Sequence, residues 1–236
     1  MVGYSLCLCS FFQPWELMAI FSFLLPIAYI CLMTGVLSIT IWQLLENWDR
    51  QLFLLLNTKW TNSFFDFILP YFRDSVFWAP LYIFIFAFIV INYGTKGWWW
   101  CLGFLCTVAI ADMVGAKIFK EGFDRLRPCQ EPDLMMQVRL LLRHCSGSSS
   151  FISNHAANHF GIATFVSVTF YATFKKWIYF SYVWAFFIAY AQVYVGVHYP
   201  LDVLGGAGVG TGAGLLTAYF FNNKVGSFAI ANNLKV

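Results

Sequence analysis

Apolar residues in this chain come in long blocks rather than in alternation, and short polar joints separate the blocks. Leu17–Trp42 is one such run, broken once by Pro26, and Val76–Tyr93, Trp98–Phe119, Asn158–Phe174, Trp177–Val195 and Val203–Phe221 follow. Each approaches the roughly 20 residues that a helix needs to cross a bilayer. Leu44–Asn57 is patterned differently. There Leu45, Trp48, Leu52, Leu55 and Leu56 share one helical face while Glu46, Asp49 and Arg50 turn away from it, as in a helix lying in the membrane interface. Asn57–Asp74 reads as an aromatic-rich connector. Gly94 and Lys96 end one span, Trp98, Trp99 and Trp100 anchor the next, and Lys175 and Lys176 end another. Gly205, Gly206, Gly208, Gly210, Gly212 and Gly214 leave one side of the last span nearly bare, which lets a neighbouring backbone approach. The pattern predicts an all-α, polytopic membrane helix bundle of about six transmembrane spans with one interfacial helix, forming a single domain over residues 1–236.

Composition agrees with that reading. Of 236 residues, 60% are hydrophobic and 11% charged, and the charged share of a soluble domain is about twice as large. A formal charge of +3 without a long basic run argues against a nucleic-acid partner. Met1–Trp15 has no Lys or Arg and so lacks the charged start of a secretory signal, and Met33 is an alternative start. Alternating the spans brings the chain out on one face at Lys120, Asn154 and His198, together with the 44–74 connector. Lys96, Lys175, Lys176 and Lys224 emerge opposite, and the preference of positive loops for the cytoplasm places that second side inside. Five of the fourteen Lys and Arg nevertheless lie between Lys120 and Asn154 (Lys120, Arg125, Arg127, Arg139 and Arg143), where a chemical role accounts for them. Of seven cysteines, only Cys129 and Cys145 lie in that polar loop. They are either free thiols or a disulfide, and a disulfide needs an oxidising compartment such as the bacterial periplasm.

Three polar clusters carry the candidate chemistry. Lys120 through Pro128 ends a helix with cations and enters a loop. Ser153, Asn154 and His155 open the next span, where a hydroxyl and unpaired backbone N–H groups make an anion site. His198 precedes Pro200, which suits the first turn of a helix, and Asp202 lies one helical step from His198. A carboxylate at that spacing can hold one imidazole nitrogen protonated and leave the other as a lone pair. Taken alone, His198 is equally a surface histidine and Asp202 a first-turn charge favoured by the helix dipole. Cations, helix-end donors and two histidines on one membrane face point instead to phosphoryl binding and transfer.

With these clusters in place, the chain resembles the type 2 phosphatidic acid phosphatase family, the integral-membrane branch of the vanadium haloperoxidase-like superfamily. The pattern KxxxxxxRP, PSGH, SRxxxxxHxxxD matches Lys120 through Pro128, Ile152 through His155, and Ala191 through Asp202. The likeness covers about residues 44–221, with 17–42 as an additional N-terminal span. It implies a membrane lipid phosphatase acting on a phosphomonoester or pyrophosphate through a phosphohistidine. His198 would be the nucleophile, Asp202 its orienting partner and His155 the acid for the leaving group. Lys120, Arg127, Ser153 and Asn154 would bind phosphate oxygens. No metal and no cofactor are implied. The implied partner is a lipid phosphate in the bilayer, among them phosphatidic acid, phosphatidylglycerol phosphate, undecaprenyl pyrophosphate and lipid A phosphates. The implied place is a bacterial inner membrane with the site facing the periplasm.

The sequence departs from the pattern at Ile152 and Asn154, and more seriously at Ala191 and Gln192, where the family has Ser and Arg. Gln192 offers a neutral donor of about 1 kcal/mol in place of a charge-assisted one of about 1.5–3 kcal/mol. Arg125, two residues before Arg127, is the residue expected to supply the missing charge. Two alternatives follow. A weakly active or inactive lipid-phosphate binding or transport protein would explain Gln192, and His155 with His159 has the spacing of metal ligands. Lys120 and Arg127 oppose a bound cation, and His159 can instead be a structural hydrogen-bonding residue.

Overall fold

The computed structural model describes residues 40–226 and 228. The chain forms two compact units, Met1–Trp48 and Asp49–Val236. Of the first, residues 40–48 are described and are helical, so the span expected over Leu17–Trp42 lies almost wholly outside the described residues. All regular structure among the described residues is helical.

In the second unit residues 49–54 are helical and end in a π-helical turn, Leu55–Lys59. Asp49, Phe53 and Asn57, one turn apart, are buried, and Leu55 is exposed. Asp49 does point away from the apolar face, as the pattern requires, but inward. The connector is not irregular throughout: it contains α1, Ser63–Phe72. Asn62 starts this helix by accepting the Phe65 N–H at 2.9 Å, and Leu69 and Phe65 pack on Tyr194 and Tyr190. Dense aromatics on all sides hid its period in the sequence.

Helix α2, Ala79–Met113, starts with Pro80 in its first turn and reverses at Gly94, where φ is 54° and ψ −129°. A side chain would be strained at that angle, and the reversal makes two antiparallel arms whose Phe86 and Phe104 rings lie 5.0 Å apart. The second arm continues through a π-helical stretch, Val114–Phe119, to Lys120–Gly122. Helix α3 spans Asn154–Phe174, α4 Tyr179–Tyr194 and α5 Pro200–Lys224. Two stretches, Ala79–Gly122 and Pro200–Lys224, are long and apolar enough to cross a membrane by length and composition. Helix α3 begins four residues before the apolar run, because Ser153 caps it.

Helices α3 and α5 run parallel, with both N-termini at one end. Cβ atoms added at Gly206, Gly210 and Gly214 would collide with the carbonyl oxygens of Ser153, Ala157 and Gly161, whereas Gly208 and Gly212 meet nothing. The glycine stripe is therefore one residue per turn, and backbone contact there fixes where the start of α5 sits against the start of α3. Gly210→Val should separate the pair and cost at least the roughly 1–3 kcal/mol of overpacking. Gly212→Ala should leave the thermal midpoint unchanged or slightly higher, and melting the two variants side by side in detergent tests this. At the far end, Trp100, Phe104, Phe165, Phe170, Phe221 and Phe228 form the main aromatic core.

Candidate active site

The end of the bundle opposite Gly94 gathers the turn before α5, the start of α3 and the loop after Gly122. Helix α4 stops at Tyr194, and Gly196 has φ 91° with Arg139 and Val138 packed where a side chain would stand. Only glycine fits both demands, and the resulting turn lets the N–H groups of Val197 and His198 donate to the Gln192 carbonyl at 3.2 and 3.3 Å. Pro200 then starts α5, and the Asp202 carboxylate accepts the Tyr199 N–H at 2.8 Å. The start of α3 is tied to the same turn by a bond from Ser153 N–H to the Asp202 carbonyl, 3.0 Å.

His198 is almost fully buried and Asp202 completely so. Nε2 of His198 lies 3.3 Å from an Arg127 amino group. A guanidinium can only donate, so Nε2 carries the lone pair and the proton sits on Nδ1. Nδ1 faces Asp202 Oδ2 at 3.6 Å, with Ser150 Oγ beside both, 3.5 Å from Nδ1 and hydrogen-bonded to the same carboxylate oxygen. Burial pushes the His198 pKa down to about 4, Asp202 pulls it up, and the charges of Arg127 and Lys120 push it further down. The imidazole is neutral at pH 7 with its free lone pair on the Arg127 side.

Arg127 is buried and fully engaged: Nε donates to the Ser148 carbonyl at 2.9 Å, one amino group to Ser148 Oγ at 3.0 Å, and the other to the Val197 carbonyl at 3.2 Å. The Lys120 side chain makes no hydrogen bond among the described residues, and its charge is felt at His198. His155 lies within electrostatic reach of His198, Lys120 and Arg73. Ser153 Oγ accepts the Ala156 N–H at 3.5 Å, which leaves the Asn154 and His155 N–H groups at the positive end of α3 without a partner among the described residues. The Asn154 side chain turns aside to Asp112 Oδ1 at 3.0 Å, an oxygen that Asn158 also reaches at 3.0 Å.

Two sequence expectations meet a different geometry. Arg125 faces two carboxylates, with Asp202 Oδ1 and Asp49 Oδ2 each at 2.6 Å, and lies over the Tyr199 ring at 4.1 Å. It is therefore neutralised before any anion arrives. Gln192 is fully buried, and its side-chain oxygen accepts from Arg73 Nε at 3.2 Å. His159 is held on both nitrogens, by Tyr82 OH at 3.2 Å and the His155 carbonyl at 2.7 Å, with Trp184 edge-on at 4.9 Å. That is the structural role weighed above. Among the described residues no group of three or more metal-binding side chains gathers. Cys129 and Cys145 are bonded, with their Cα atoms 6.1 Å apart, and close the loop that carries Arg139 and Glu131. Sequence reasoning missed Asp49, Arg73, Ser148 and Ser150. Only the hydroxyl-rich run Ser146–Ser150 beside the second cluster gave a signal.

A model of the PAP2 superfamily matches residues 98–225, the stretch that carries most of these groups. A protein of Bacteroides thetaiotaomicron named Lipid A 4'-phosphatase is 31% identical over 186 residues, 78% of this chain and 80% of that protein. Another of the same name from Porphyromonas gingivalis is 30% identical over 159 residues, 67% of this chain and 60% of that one. Among solved structures, Aquifex aeolicus LpxE superposes with a TM-score of 0.56 at 26% identity, covering 72% of this chain and 93% of its own. The fold is also that of a transmembrane PAP2-type phosphatidylglycerolphosphate phosphatase from Bacillus subtilis, at TM-score 0.59 and 24% identity over 76% of this chain and 87% of that one.

Proposed function

From a chain that belongs to the PAP2 superfamily, we propose a membrane lipid phosphatase that needs no metal and works through a phosphohistidine at His198. The observation that carries this reading is the His198 tautomer, with Nδ1–H toward Asp202 and the Nε2 lone pair beside Arg127. An entering phosphate draws the Arg127 guanidinium off the neutral imidazole, because a charge-assisted bond to an anionic oxygen is about twice as strong. Nε2 then forms a bond to phosphorus as the lipid P–O bond breaks, and His155 gives the departing alkoxide its proton. Water attacks the phosphohistidine in the second step, giving up a proton to His155 and releasing phosphate and free His198. Lys120 and the Asn154 and His155 N–H groups hold the phosphate oxygens, and Ser153 frees those N–H groups by capping the helix itself. Asp202 and Ser150 fix the ring. Positioning and charge stabilisation supply most of the rate in such a transfer.

The arrangement in the membrane completes the reading. The chain crosses about six times with residues 44–57 lying in the interface, in a bacterial inner membrane. The site faces the periplasm. The Cys129–Cys145 bond supports an oxidising side for the site loop, and Lys96, Lys175 and Lys176 support a cytoplasmic opposite end. The substrate we favour is a phosphomonoester of lipid A, supported by the names of the two relatives that are 31% and 30% identical. Purified protein in detergent with excess chelator should release phosphate from lipid A faster than from phosphatidic acid, phosphatidylglycerol phosphate or undecaprenyl pyrophosphate. Loss of all activity in chelator would contradict the metal-free chemistry.

A pH profile tests the state of His198. Because its pKa in the fold is about 4, the rate of phosphoenzyme formation should hold down to roughly pH 5 and fall only below it. An acid limb near the ordinary value of 6.5 would contradict the buried neutral nucleophile. Stability moves in the same direction. Below 6.5 the unfolded chain takes up a proton on this residue and the folded chain does not until about 4, so stability is lost across that window and unaffected above it.

A further inference from the structure

We propose that Arg73, in the loop between α1 and α2, supplies the phosphate-binding charge that Gln192 does not carry, with Gln192 as its positioning residue. The proposal rests on the phosphatase reading above and names one more group of that site. Arg73 closes α1, its own N–H bonding to the Leu69 carbonyl at 3.2 Å. The half-buried guanidinium is aimed by one contact, Nε to Gln192 Oε1 at 3.2 Å. Among the described residues no carboxylate lies within 4.0 Å of it, and its two amino groups make no hydrogen bond. A part-buried cation oriented by a neutral amide, which feels the charge of Asp74 but makes no ion pair with it, is a group in want of an anion.

The contact places that charge on the residue that holds the His198 turn. Gln192 is the residue whose carbonyl holds the N–H groups of Val197 and His198, and Arg127 grips the same turn through the Val197 carbonyl and His198 Nε2. Arg73 and Arg127 thus flank the Gln192–His198 turn. They are close enough to repel: burial holds Arg127 below its ordinary pKa, and the Arg73 charge pushes it the same way while Asp202 opposes. The Arg73 charge also reaches His155. Gln192 Nε2 is buried without a partner, a second donor left beside the cation. A tetrahedral dianion between the two guanidinium groups relieves their repulsion and takes bonds from Arg73 that nothing else accepts. Arg125 cannot do this, since Asp49 and Asp202 already neutralise it. The glutamine thus turns its carbonyl end toward an arginine borrowed from another element, where an arginine at position 192 would repel it.

The test uses the full chain in detergent, with inorganic phosphate binding by calorimetry and turnover of whichever lipid phosphate the wild type hydrolyses fastest. Arg73→Met should weaken phosphate binding about 10- to 100-fold with little change in thermal midpoint. The pair Arg73→Met with Gln192→Arg should recover about tenfold of that loss, because the charge returns from the other side of the same contact. Gln192→Arg alone should bring no gain, since two guanidinium groups then compete for one place. Phosphate binding by Arg73→Met within about twofold of wild type would overturn the assignment. A double variant no better than Arg73→Met would overturn the role of Gln192. Should Arg73→Met not fold, Gln192→Arg decides alone: a gain of about tenfold means that the site lacked a cation there. His198→Ala separates the two readings. If wild type releases no phosphate from any lipid phosphate the phosphatase reading fails. If His198→Ala keeps wild-type turnover only the nucleophile assignment fails, whereas turnover lost in His198→Ala with unchanged Arg73→Met binding sinks only the role of Arg73.

Discussion

His198→Ala should lower phosphate release from a lipid phosphate by roughly four to six orders of magnitude, with inorganic phosphate still bound. Among the described residues the other imidazole at this place is His155, which the reading assigns to the leaving group and to water. Arg127 and Lys120 can only donate, and His159 has both nitrogens occupied by Tyr82 and the His155 carbonyl. The variant also leaves the helix ends intact, because the turn is held by backbone bonds to Gln192 and by the Asp202 carboxylate on Tyr199 N–H. Asp202→Asn should cost less, on the order of a hundred- to ten-thousand-fold, since an amide can present its donor to Nδ1 and favour the wrong tautomer. Steady-state phosphate release with purified variants checks both. Near wild-type turnover by His198→Ala would remove it from the reaction.

Arg125→Ala should destabilise the fold by about 3–5 kcal/mol, the cost of leaving buried charges without their partner. The carboxyl groups of Asp49 and Asp202 are fully buried, and Arg125 bonds to both at 2.6 Å. Asp49 also accepts the Leu201 N–H at 2.9 Å, so the three groups hold the start of α5 against the helix that carries Asp49. Removing one of the two stranded charges should restore part of the loss, and Arg125→Ala with Asp49→Asn should melt measurably higher than Arg125→Ala alone. Thermal unfolding of the four proteins gives the coupling. Wild-type stability in Arg125→Ala would mean that the residue is free for substrate after all, as its place in the first cluster had implied.

The helices and the three clusters were legible because both are local in the chain. Runs of apolar residues mark the arms of α2, the body of α3 and α4, and Gly94, Lys175 and Pro200 mark where they turn or start. The four-residue step from His198 to Asp202 and the cap at Ser153 are also local, so spacing alone placed them. What spacing could not give is the partner that arrives from far away in sequence. Arg73 meets Gln192 across 119 residues, and Arg125 meets Asp49 across 76. Arg125 and Arg127 look equivalent in sequence, yet one reaches the Asp202 end of the turn and the other the His198 end, because Asp49 lies at the first and Ser148 at the second. The side to which Asp49 turns was hidden for a related reason. When the surroundings are lipid, a polar residue such as Asp49 can be the buried one, and periodicity tells which residues share a side but not which side faces in.

Trapping the intermediate tests the central claim most directly. Wild-type protein mixed with a lipid labelled in its phosphate and quenched in alkali within one turnover should carry label on a single histidine-containing peptide, with the phosphoryl group on His198 Nε2. The bond should be stable to base, lost in mild acid and absent from His198→Ala. Label on any other residue, or full-rate turnover with no labelled protein at any quench time, would contradict the account and leave direct attack by water as the chemistry of this site.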